Sequence, residues 1–62
     1  PFQYVTRWRM QVAADLLKNS SLTLSEIANR VGYRSDLTFS KAFRRQMNTS
    51  PGRYRRAARH AP

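Results

Sequence analysis

The 62-residue sequence contains no cysteine. That excludes a disulfide framework and any thiolate metal centre. Acidic residues are nearly as scarce: Asp15, Glu26 and Asp36 are the full set, and His60 is the single histidine. A zinc ion would have to be gathered from His60 and those scattered carboxylates, so no metal site and no cofactor are expected. No apolar run approaches the roughly 18 residues of a membrane span, and no signal peptide is expected. No nucleophile and base stand at a spacing that would bring them together, and His60 falls in a tail, so the chain does not read as an enzyme.

What is abundant is positive charge. Twelve Lys and Arg residues against three acids give a net charge of +9. The excess is uneven. From residue 41 onward there are seven cations (Lys41, Arg44, Arg45, Arg53, Arg55, Arg56, Arg59) and no acid. A small domain with a basic half of this kind suits a polyanionic partner. A chain this short makes one domain with a marginal core, burying only about 60% of its unfolded surface. It opens with Pro1 rather than Met, which suggests a fragment of something longer.

The most informative stretch is Ser35 to Met47, SDLTFSKAFRRQM. At about 100° per residue it divides into two faces. Phe39, Ala42, Phe43 and Met47 share the i, i+3, i+4, i+8 spacing of a core stripe. Leu37, Lys41 and Arg44 point away from it, flanked by Thr38, Ser40 and Arg45. Ser35 stands where an N-cap is wanted. A helix with buried aromatics on one side and hydroxyls, cations and one leucine on the other suits a groove lined with phosphates and base edges.

The remaining segments read as its scaffold. Pro1 to Lys18 forms one long helix, with Pro1 in the first turn. Its apolar residues fall in two lines: Val5, Trp8, Val12 and Leu16, then Met10, Ala13, Ala14 and Leu17. That surface is wider than one neighbour needs, so two partners are expected, the helices downstream and something upstream. Arg7 and Arg9 have two readings, phosphate contacts or plain surface cations. Asn19 to Ser21 is a polar break, with Asn19 just past the helix end. Thr23-Leu24-Ser25-Glu26 fits a capping box, opening a short helix to about Val31 whose inner face is Leu24, Ile27, Ala28 and Val31. Gly32 ends it in a left-handed turn, and Ala28, four residues earlier, is small enough for a second helix to approach closely. Helix, glycine turn, helix is the helix-turn-helix arrangement. Asn48 closes the second helix. Ser50-Pro51 starts another, as N-cap and first helical residue, which runs to about Ala58 and is anchored by Tyr54. Its free amides and dipole suit one backbone phosphate, with Arg53, Arg55 and Arg56 adding charge. Residues 57 to 62 have little to bury and are expected to fray.

Taken together, Arg9-Met10, Ala13, Leu17, Ser25-Glu26-Ile27-Ala28, Val31-Gly32-Tyr33, Ser35, Phe39, Phe43-Arg44 and Ser50-Pro51 through Tyr54-Arg55 resemble the AraC/XylS family of bacterial transcription regulators. The resemblance covers nearly the whole chain. It implies an all-α, homeodomain-like helix-turn-helix fold, with residues 1–18 as the helix that joins two such units and residues 19–62 as the second unit. The first unit, and the effector or oligomerisation domain that many members carry, would lie elsewhere in the same protein. The surplus apolar surface of the first helix agrees with that.

The resemblance also implies activator-type promoter recognition in the bacterial cytoplasm, at the nucleoid, with double-stranded DNA as partner and RNA polymerase as a further candidate. The helix after Gly32 would lie in the major groove. Carried over by position, Asp36, Leu37 and Lys41 would face bases, and Arg34, Ser35, Thr38, Ser40, Arg44, Arg45, Arg53 and Arg55 would meet phosphates. Leu37 departs from a polar reading face, and a thymine methyl is its natural target. Asp36 either accepts from a cytosine amino group or complements the positive helix start. Lys41 is the choice for guanine, with a phosphate contact as its other reading. Two other classes compete with DNA. A basic amphipathic helix suits an anionic membrane surface, although a capping box and glycine turn build a compact unit instead. RNA binding usually needs exposed aromatic platforms, and most aromatics here sit at core spacing, with Trp8 as the exception.

Overall fold

The computed structural model describes residues 2–60, with side chains described for residues 5–59. Within it the chain forms four helices and, among the described residues, no strand: α1 Phe2–Asn19, α2 Leu24–Arg30, α3 Asp36–Met47 and α4 Pro51–His60. The all-α, helix-turn-helix expectation holds. The expected place of Pro1 in the first turn, and the final residues of the tail, lie outside the described residues.

Helix boundaries follow local chemistry. At α2 the Oγ1 of Thr23 accepts from the Glu26 amide at 3.1 Å, and Glu26 Oε1 accepts from the Thr23 amide at 2.9 Å. That is the reciprocal capping box the sequence predicts. The backbone hydrogen bond from Thr23, then that from its side chain, holds the Glu26 carboxyl below its ordinary pKa. At the other end Gly32 takes φ +92°. Its amide donates to the Asn29 carbonyl, and that of Tyr33 to Ala28 at 2.8 Å, the paired bonds of a Schellman turn. Ser35 caps α3, accepting from the Leu37 and Thr38 amides. Asn48 closes α3 in the left-handed conformation at φ 63°.

Two boundaries differ from expectation. Asn19 is the last residue of α1, because Ser20 takes over the capping: its amide and its hydroxyl both donate to the Leu16 carbonyl. Residues 57–60 are helical, so α4 is longer than its apolar content suggests. The reason is long-range. Arg55 Nε donates to the Leu17 carbonyl at 3.0 Å, and Nη2 of both Arg55 and Arg59 donates to the Ser20 carbonyl. Two cations one turn apart on α4 thus engage the negative end of α1 and tie the two helices together.

The core sits where α1 meets the other three helices. It consists of Met10, Ala13, Ala14, Leu17, Ile27, Ala28, Val31, Phe39 and Phe43. On α1 it is the second apolar line that is buried. In the first line, Val12 and Leu16 are packed against the core while Val5 and Trp8 stand 49% and 65% exposed. Ala42, Met47 and Tyr54 flank the core as expected. Leu22 also joins it, and Pro51 is fully buried. The first residue of α4 is thus held inside the fold.

Candidate nucleic-acid interface

Everything outside the α3 core stripe faces solvent or its edge. Phe39 and Phe43 are wholly buried, whereas Leu37 is 65% exposed and Lys41, Thr38, Arg44 and Arg45 are exposed. Ser40 lies half-buried at the margin. The two phenylalanines therefore fix which side of α3 looks outward. Tyr33, Phe39, Phe43 and Tyr54 form a run of tilted ring contacts with centroids 5.6–5.9 Å apart. Such pairs favour this edge-on geometry, and here they set the rotation of α3 about its own axis.

An α-helix is about 10–12 Å across, which matches a major groove about 12 Å wide. Leu37 and Lys41 are one turn apart, a rise of about 6 Å, or roughly two steps of 3.4 Å along a DNA strand. Leu37 offers only an apolar surface, and Lys41 a mobile point charge with three donors. Ser35 has both lone pairs engaged in capping, which leaves its hydroxyl hydrogen for an acceptor such as phosphate. Asp36 is not isolated. Its Oδ1 accepts from the Ser25 hydroxyl at 2.9 Å, which links α2 to the start of α3 and uses part of its accepting capacity. Arg34 is exposed in the turn just before that helix.

A second cationic feature flanks the exposed face of α3. Arg44, Asn48, Thr49, Ser50 and Arg53 line an open cleft of about 290 Å³ at the α3–α4 junction. Two guanidinium groups, one amide and two hydroxyls give it donors and no negative charge. It lies at the start of α4, where Ser50 Oγ accepts from the Arg53 amide at 3.3 Å. Pro51 has no amide to give, so the side chains, more than the helix start, supply the donors.

The expected phosphate contacts do not all gather here. Arg44 and Arg53 share the cleft, and Arg45 is exposed nearby on α3. Arg55 is turned the other way, toward α1, and its half-buried guanidinium is spent on the carbonyls of Leu17 and Ser20. No local pattern signals this, because its partners lie 35–38 residues away. The side chain of Arg9 is equally hidden from a local reading. It lies over the Tyr33 ring, 5.9 Å from the centroid, instead of extending into solvent.

This geometry defines a class, a helix-turn-helix domain with an outward-facing second helix. Comparison with known proteins agrees. A family model described as a helix-turn-helix domain matches residues 1–57. The chain is 47% identical over 55 residues to the HTH-type transcriptional regulator AlkR of Acinetobacter baylyi, covering 89% of this chain and 18% of that protein. It is 45% identical over 56 residues to a putative AraC-like transcription regulator of Streptomyces lividans, covering 90% of this chain and 18% of the relative. Among solved structures it resembles the C-terminal domain of AraT, a response regulator from Geobacillus stearothermophilus, with a TM-score of 0.89 and 45% identity over 90% of this chain and 46% of the other. The chain belongs to the AraC-type helix-turn-helix family of transcription regulators. It spans less than a fifth of the length of the two sequence relatives. The relatives named here are transcription regulators.

Proposed function

We propose that this chain is the part of an AraC-type regulator that reads one segment of a promoter, with α3 in the major groove and the cleft between α3 and α4 on an adjoining phosphate. The observation that carries this reading is the division of α3: Phe39 and Phe43 are wholly buried while Leu37, Lys41 and Arg44 face outward. Leu37 meets a thymine methyl, Lys41 reads guanine, and Asp36, steadied by Ser25, accepts from a cytosine amino group. Arg34, Ser35, Thr38, Ser40, Arg44, Arg45 and Arg53 hold the backbone. Arg55 serves as the clasp between α4 and α1 and leaves the footprint.

In this reading α1 is the joining helix, and the exposed Val5 and Trp8 are covered by a first helix-turn-helix unit of the same protein. An effector or oligomerisation domain, contact with RNA polymerase and a cytoplasmic, nucleoid-associated location belong to the same proposal. Among the described residues no helix is long and apolar enough to cross a membrane. Among the described residues, Tyr33, Phe39, Phe43 and Tyr54 are engaged with one another, which leaves Trp8 as the exposed aromatic for an unstacked RNA base. The test is parallel binding of the chain to duplex DNA, single-stranded RNA and anionic phospholipid vesicles. Salt-dependent binding that favours duplex, with one sequence preferred over its scramble, supports the proposal. Tighter binding to vesicles or RNA overturns it.

A further inference from the structure

Arg9 sits halfway along α1, yet its guanidinium is drawn back onto the turn between α2 and α3. It lies 5.9 Å from the Tyr33 ring centroid. It also passes over Gly32, where a side chain's first carbon would stand 3.5 Å from the guanidinium carbon. That is ordinary contact distance, so the positive φ of Gly32 rather than crowding requires glycine there. Arg9 therefore packs on the open face that the glycine leaves. Tyr33 in turn meets Phe39, which meets Phe43, which meets Tyr54. One continuous run of side chains joins α1, the turn, α3 and α4, and Arg9 is its cationic end.

We propose that Arg9 is a positioning residue for the reading helix: its guanidinium, packed on Gly32 and Tyr33, fixes the turn and so sets how α3 is presented relative to α1. Three features support this over a role on a phosphate. The side chain is half-buried, not extended. A planar, weakly hydrated guanidinium can stack on a ring and a peptide together, which an ammonium cannot. And Tyr33 stands two residues before the Ser35 cap, so its place governs where α3 begins. Beside the core that α1 shares with α3, this contact gives any unit joined through α1 a route by which its orientation reaches the turn that starts α3.

The inference rests on the proposed DNA reading and is tested so that the two fail separately. In the 62-residue chain, Arg9→Met keeps volume and removes the cation, Arg9→Lys keeps charge without the plane, and Tyr33→Phe keeps the ring. Arg9→Met should lower the preference for the selected duplex over its scramble by about threefold to tenfold, measured well below the melting temperature, with the salt slope unchanged. Arg9→Lys should recover part of the loss, Tyr33→Phe should be silent, and Tyr33→Leu combined with Arg9→Met should be no worse than Tyr33→Leu alone. A salt slope lowered by about 0.9 with preference intact would make Arg9 a phosphate contact instead. A fall in melting temperature alone would make it mere packing. In the free protein, Arg9→Met should shift the amide resonances of residues 32 to 37 and speed exchange of the Tyr33 amide. Changes confined to α1 would overturn the inference even if no preferred duplex were found.

Discussion

Arg55 on α4 donates its Nε proton to the carbonyl of Leu17 on α1 at 3.0 Å, bridging 38 positions of sequence. A residue that charge alone would assign to DNA is thus employed in holding the scaffold shut. Arg55→Ala should cost about 1.5–3 kcal/mol of stability, as expected for hydrogen bonds to a charged group, while leaving the salt slope of DNA binding unchanged. Arg44→Ala and Arg53→Ala should do the reverse, each flattening that slope by about one unit with little change in stability. Thermal unfolding and salt titration of the three variants separate the two roles. A flattened slope in Arg55→Ala would return it to the footprint.

Glu26 makes stability depend on acidity. Its pKa is lowered in the folded chain by the Thr23 hydrogen bonds. The stabilisation is therefore fully present above the ordinary carboxyl pKa and is lost as pH falls through the lowered folded value. Glu26→Gln keeps an acceptor for the Thr23 amide but does not titrate. The melting-temperature advantage of the natural chain over Glu26→Gln should shrink as pH is lowered through the carboxyl range. An advantage that does not vary with pH would show that the box contributes no linkage.

Gly52 offers a stabilising change. Nothing lies within 4 Å of where its side chain would begin, and its φ is not positive. Gly52→Ala should raise stability by about 0.4–1 kcal/mol, through restriction of the unfolded chain and better helix formation. Chemical denaturation checks this. Gly32→Ala, at φ +92°, should destabilise instead.

The contrast between local and distant partners explains what could be read from the sequence. The capping box at Thr23, the turn at Gly32, the caps at Ser35, Ser50 and Asn48, and the Phe39–Phe43 stripe all depend on residues within a few positions of one another, and each stands as expected. Leu22, Pro51, Arg9, Arg55 and Arg59 take their roles from contacts made across the fold, or from burial that no local pattern announces. The long α4 follows from the same cause: without the carbonyls at the end of α1, its last turn has little to hold it. Ser25 with Asp36 is the intermediate case, since the glycine turn brings together two helix starts 11 residues apart.

Base reading by the exposed α3 face is tested most directly by selecting preferred duplexes from a random pool, with the natural chain beside Leu37→Ala and Lys41→Ala. The natural chain should enrich one short sequence. Leu37→Ala should lose the preference at a thymine, and Lys41→Ala should relax one guanine position at a cost of about 1–3 kcal/mol. Enrichment of the same sequence, with the same strength, by all three proteins would contradict the placement of α3 on the bases.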